Sequence, residues 1–186
     1  DAEGGVVEPD DPDKFDKAVH MSSGHLDVGM HCVDCHFSQD NHGNGHIYGE
    51  VANAVEIDCV DCHGTSTEYP NLKTSGPAAP PGGTDLSLIR NPNGQSRFSW
   101  REGKLFQRSL LWPDREWQLS LVKDSVNKSH PKYNKKAARA KLMSKDSKNQ
   151  SWGTETAKSE LAHGNDNMEC YSCHQSWTTS CGGRHL

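Results

Sequence analysis

Residues 31–63 read HCVDCHFSQDNHGNGHIYGEVANAVEIDCVDCH, and the pattern CxxCH occurs in them twice, as Cys32, Cys35, His36 and as Cys59, Cys62, His63. A third copy follows late in the chain, as Cys170, Cys173 and His174. Two thiols three residues apart can add across the vinyl groups of a haem, and the histidine that follows can ligate its iron. The pattern is the covalent attachment signature of c-type haem. Two other readings compete with it. Paired CxxC motifs also suit a zinc ribbon, and seven cysteines in a weakly hydrophobic chain also suit a disulfide scaffold. Neither chemistry requires a histidine directly after the pair, and one stands there in all three copies.

Each proximal histidine, His36, His63 and His174, leaves its iron in need of a sixth ligand. A second imidazole gives the low-spin state used in electron transfer. The segments HLDVGMHCVDCH (25–36) and HGNDNMECYSCH (163–174) share a histidine seven positions before the first cysteine and a methionine two before it. This self-similarity marks a repeated unit. His25 and His163 are therefore expected as distal ligands, to a neighbouring haem as readily as to their own. Met30 and Met168 sit too close to their cysteines to swing over the ring and are read as packing on porphyrin. The turn-rich loop 40–46 favours His42 as a further distal ligand. His20, His46 and His130 remain candidates, whereas His31, abutting Cys32, does not suit its own haem.

The tail, Cys181-Gly182-Gly183-Arg184-His185, has the form of CxxCH with arginine in place of the second cysteine. Cys181 is a candidate for a single thioether and His185 for a ligand, so a fourth haem stays open beside the three. The same residues are also consistent with a lost site that retains a histidine.

The rest of the chain divides around these motifs. Residues 1–17 form an acidic arm, 18–69 a two-haem unit, 70–83 a Pro/Gly linker, 84–162 a haem-free insert and 163–186 the third haem unit. Within the insert, residues 84–123 alternate as strands do. Leu86 and Leu88 are expected on one face, Phe98 and Trp100 on one face, and Trp117, Leu119 and Leu121 on another, with a turn at Glu102-Gly103. This predicts a small antiparallel meander of three or four strands. A lysine-rich helix is expected over 131–147, with Pro131 at its first turn, and a short helix over 154–161. The expected fold is mostly irregular and organised by haem, with short helices beside the meander.

Composition agrees. Hydrophobic residues make up 32% of the 186 positions, and even with 17 glycines the chain is poorer in apolar residues than ordinary globular domains. Haem can supply the missing core: roughly 500 Å² of buried macrocycle at ~25 cal/mol per Å² is worth on the order of 10 kcal/mol. A net charge of −5 argues against nucleic acid, and no apolar run is long enough to span a membrane. The chain starts at Asp1, so an export segment is expected to have been removed or to lie outside this sequence.

In GMHCVDCHFSQDNHGNGHIYGE, VEIDCVDCHGT and CYSCHQSWTTSC the chain resembles the large multihaem c-type cytochromes of metal-respiring and other anaerobic bacteria. That resemblance implies a periplasmic or cell-surface protein that passes electrons along closely spaced, bis-histidine haems. Redox proteins or other haem modules of a longer chain are the expected partners, and a third reading is a haem-bearing structural subunit of a homo-oligomer or filament. The alternative is a multihaem oxidoreductase acting on a small nitrogen or sulfur oxyanion at one haem with an open position, with the lysine-rich helix as its basic group.

Overall fold

In the stretch 98–121 the apolar residues fall where a pleated strand can bury them on one side. Phe98, Leu105, Leu119 and Leu121 are all less than a tenth exposed. A computed structural model describes residues 8, 11–13, 17, 24–37, 40, 42–112, 114–146 and 156–174. It pairs this stretch as an antiparallel sheet of β1 (Phe98–Arg101), β2 (Lys104–Arg108) and β3 (Glu116–Gln118), in that order. Phe98 faces Gln107 and Trp100 faces Leu105 across the first pair; Arg108 faces Glu116 across the second. The first turn needs two residues with positive φ, and Glu102 (49°) and Gly103 (72°) supply them. The expected meander is thus present, with three strands.

The sheet's inner face packs into a core of Phe37, Cys62, Leu72, Leu86, Phe98, Leu105, Leu119 and Leu121. Phe37 meets Phe98 edge to face at 6.5 Å. The Pro/Gly stretch 70–83, expected as a linker, also contributes to this packing. Leu72, Thr74 and Ala78 are buried, and Leu86 N–H closes on Leu72 C=O at 2.7 Å. Gly83 is needed there: its φ is 72°, and a Cβ would stand 2.3 Å from the Thr74 carbonyl oxygen.

A second cluster joins Val126, Ala138, Leu142 and Leu161. Here the helix α4 (Val122–Val126) packs on α5 (Lys135–Lys141). The other described helices are short: α1 (Gly24–Asp27), α2 (Cys32–Cys35) and α3 (Cys59–His63). No described helix is long and apolar enough to cross a membrane. By their contacts the residues divide into one unit over 1–31 and 170–186 and another over 32–169.

Three local expectations are corrected. Leu86 and Leu88 do not share a strand face: they lie in a 3₁₀ turn that leaves Leu86 wholly buried and Leu88 69% exposed. The Asp85 carboxylate accepts Ser87 N–H at 3.0 Å and starts that turn, a local bond that overrides a two-residue alternation. The lysine-rich helix spans only Lys135–Lys141. Its start is Asn134, whose side chain accepts from the N–H groups of Lys136 and Ala137, and Pro131 lies before it in a turn. Beyond it Ser144 bridges to Leu161. Of the helix expected over 154–161, the described part holds only a 3₁₀ turn at Lys158–Glu160.

Replacing Leu86 by Ala is expected to lower the unfolding free energy by roughly 2–5 kcal/mol, while Leu88→Ala changes it by less than about 0.5 kcal/mol; denaturant titration of both variants checks this. Glu116 accepts from Arg101 on β1 and Arg108 on β2, and both, Arg101 first, hold its carboxyl below the usual 4.5. A group with a depressed folded pKa contributes stability above its unfolded pKa and loses it as pH falls through the folded value. Glu116→Gln should therefore flatten the fall of stability below pH 4.5, as read by thermal unfolding against pH.

Candidate haem-attachment motifs

Each CxxCH motif folds as a single helical turn. His36 N–H reaches Cys32 C=O at 2.8 Å, and His174 N–H reaches Cys170 C=O at 3.0 Å. The second motif is α3 itself, begun by a reciprocal capping box between Asp58 and Asp61 and ended by Gly64. Gly64 has φ 68°, and a Cβ there would meet the Glu68 carbonyl oxygen at 2.5 Å, so a side chain does not fit after His63. One turn places residues i and i+3 on one face. Both cysteines of each pair therefore stem from one face of their turn.

The imidazoles of the first two motifs are held at one nitrogen. His36 Nδ1 lies 2.9 Å from Asp40 Oδ2, and Asp40 Oδ1 accepts Glu56 N–H at 2.9 Å. His63 Nδ1 lies 2.6 Å from the carbonyl oxygen of Ser120, between the buried Leu119 and Leu121. A carbonyl or carboxylate opposite Nδ1 fixes the proton there and leaves Nε2 as the basic atom, the arrangement found behind metal-binding histidines. His163 is held in the same manner, with Nδ1 2.8 Å from the Ala140 carbonyl, while Lys141 Nζ grips the His163 carbonyl at 3.0 Å. His130 is different. Its Nδ1 accepts Lys132 N–H at 3.2 Å, so a neutral ring carries its proton on Nε2, 3.7 Å from Asp124.

Within each of the first two motifs one cysteine is exposed and one covered. Cys32 and Cys59 face solvent, Cys35 is partly covered and Cys62 is buried. Burial pushes the Cys35 thiol up to about 11, with the charges of Asp34 and Cys32 adding to it. Burial also pushes Cys62 up strongly, helped by Cys35 and then Asp61. The second cysteines of the two motifs thus lie in one neighbourhood. Among the described residues no group of three or more His, Cys, Asp or Glu side chains is placed to hold a metal ion.

The remaining candidates are placed as follows. His25 lies on α1 and is exposed, in the unit that also holds Cys170, Cys173 and His174; His163 lies in the unit that holds the first two motifs. His42 is exposed at a helical position, as Asp40 is, so the turn-rich loop expected over 40–46 begins only after it; His46 is exposed on that loop and tilts against Tyr48 with ring centroids 6.2 Å apart. His20, Cys181 and His185 lie outside the described residues. Beside His46 opens a cavity of about 340 Å³, lined by Asn44, Tyr48, Thr84, the prolines of 77–81 and the buried Glu56. Large apolar side chains stand exposed next to several candidates: Ile47 beside His46, Leu26 and Val28 beside His25, and Tyr171 inside the third motif.

Sequence reading missed Asp40 as a partner of His36 and the two aspartates inside the CVDC turns, Asp34 and Asp61. Asp40 stands four residues after His36, which would have marked it had that stretch been read as helical. No matches are found among protein-family models, curated proteins or solved structures.

In the chain without haem, at about pH 8, the exposed Cys32 and Cys59 should alkylate first. Cys35 and Cys62 should follow at least roughly tenfold more slowly, as read by peptide mass mapping over time; equal rates would contradict the burial described.

Proposed function

We propose that this chain is a multihaem c-type cytochrome that carries electrons along at least three covalently held haems. The observation that carries the reading is the helical turn adopted by all three CxxCH motifs, which sets two cysteines on one face with a histidine directly behind them. Cys32 and Cys35, Cys59 and Cys62, and Cys170 and Cys173 would form the thioethers, and His36, His63 and His174 would be the proximal ligands. Such haems supply irons that exchange one electron with little rearrangement when both axial positions are imidazole.

The fit rests on the residues themselves. Nδ1 of His36 and of His63 each faces an acceptor, which leaves Nε2 as the ligating atom. Exposed apolar side chains beside the candidate ligands offer surface that a flat macrocycle would cover. His163 has the same Nδ1 anchorage and would be the strongest distal candidate for one haem of its own unit; His25 would be a candidate for the third haem, whose unit it shares. His130 is the weakest, because its proton sits on Nε2. His42 and His46 remain as further candidates. Export to the periplasm or cell surface, and redox partners or further haem modules, belong to the same proposal.

The oxidoreductase alternative gains little from the cavity beside His46. Its buried acidic group is Glu56, whose carboxylate already accepts Thr74 and Thr84 hydroxyls. A site that offers a carboxyl group repels a small oxyanion.

A pyridine haemochrome count with the intact mass should give three haems, or four if Cys181 carries one. Every iron should be low-spin in both redox states, and carbon monoxide should leave the reduced spectrum unchanged. A colourless protein with the mass of bare polypeptide would end this reading, and a carbon monoxide shift at one haem would favour the oxidoreductase.

A further inference from the structure

We infer that Asp34 and Asp61, the residues directly before the second cysteine of each CVDCH motif, are positioning residues that hold the cysteines and histidine of their turn in attachment geometry. The inference rests on the haem reading above and assigns a role to residues that are neither attachment points nor ligands. Both side chains are buried, Asp34 at 0% and Asp61 at 2% exposure. An acid placed in the interior is costly unless its oxygens find donors. Here they do, and the donors belong to other parts of the chain.

Asp34 Oδ1 accepts Leu110 N–H at 2.7 Å, just past the end of β2, and Oδ2 lies 3.4 Å from the Ser109 hydroxyl. The main chain of the same turn is gripped as well. Gln107 Nε2 donates to Asp34 C=O at 2.5 Å, and Arg97 Nη1 donates to Val33 C=O at 3.4 Å. Arg97 is itself held by Asn91, whose amide donates to Ser109 C=O. The two residues between Cys32 and Cys35 are thus fastened to the sheet through backbone and side chain together.

Asp61 does the corresponding work by other means. Its Oδ2 accepts Asp58 N–H at 2.7 Å and Ser75 N–H at 2.9 Å, and its Oδ1 accepts the Ser75 hydroxyl at 2.6 Å. One carboxylate therefore caps α3 and ties it to the Pro/Gly stretch. The third motif has Ser172 at this position, and Ser172 is exposed. Two sites are held from the interior through this residue, and at the third the corresponding Ser172 is exposed, although all three share the same ligand pattern.

Fixing the residues between the cysteines fixes where both sulfurs point and where the following imidazole stands. Removing groups that orient metal ligands typically costs ~10- to 100-fold in metal affinity or activity, and a change of that order is expected here in haem content at each site. The test uses the whole chain matured in a host that attaches haem c, with Asp34→Ala, Asp34→Asn, Asp61→Ala, Asp61→Asn and Ser172→Ala compared. Haem is located by peptide mass mapping, and iron environments are read from the low-spin electron paramagnetic resonance signals. Asp34→Ala should lose haem at Cys32 and Cys35 by at least tenfold while the other two sites stay filled, and Asp61→Ala should do the same at Cys59 and Cys62. Each Asn variant, which keeps an acceptor oxygen, should restore haem at its site, and Ser172→Ala should leave the third site filled.

Full haem at every site in both Ala variants, with unshifted low-spin signals, would overturn the assignment. So would loss of haem from all sites together in the Ala variants with Asn variants indistinguishable from wild type in content and signals, since the aspartates would then be fold determinants only. A wild-type chain matured without haem would instead overturn the proposed function, which keeps the two failures apart.

Discussion

The hydrogen bonds between the first cysteine turn and the far end of β2 are the constraint on which the larger unit depends. They join residues 33 and 34 to residues 97, 107, 109 and 110, more than sixty positions later. Such a long loop is closed only if burial elsewhere offsets the entropy of closing it. The cluster around Leu86 and Leu105, both wholly buried, provides that burial. Because Cys62 and Phe37, the residue after the first CxxCH motif, sit in the same cluster, the apolar core includes part of the second motif and borders the first.

The motifs draw their order from this arrangement. His63 is oriented by a carbonyl in the strand-like run after β3, His36 by a carboxylate that also holds the approach to the second motif, and His163 by the last turns of α5. The lysine-rich helix enters the sequence reading only as the basic group of the oxidoreductase alternative. At Lys141 it also has an internal task, gripping the loop that bears His163 at both the His163 carbonyl and the Asn165 side chain.

The parts of the fold that could be read in the sequence are those set by short-range chemistry. The CxxCH spacing is complete within five residues, and the Glu102-Gly103 turn is complete within two. The 3₁₀ turn at 86–88 was misread because two leucines two apart satisfy a strand pattern as well as a turn, and the deciding bond comes from Asp85. The lysine-rich helix was drawn too long because proline marked a start that the Asn134 side chain actually provides. Asp34 and Asp61 were passed over for a different reason. An aspartate inside a cysteine pair looks like a solvated charge until its distant donors are known, and these lie 14 residues away for Asp61, beside the local Asp58 N–H, and about 75 for Asp34.

The hairpin tip at Glu102 and Gly103 stands in open space, with nothing within 4 Å of where a Gly103 Cβ would be. The network around Gln107, Ser109 and Leu110 begins at least three residues further along β2 from Lys104, on the order of 10 Å of strand. An exposed lysine at this tip is therefore a handle for tethering the molecule to an electrode, with the strand's own length separating the linker from the bonds that grip the first motif.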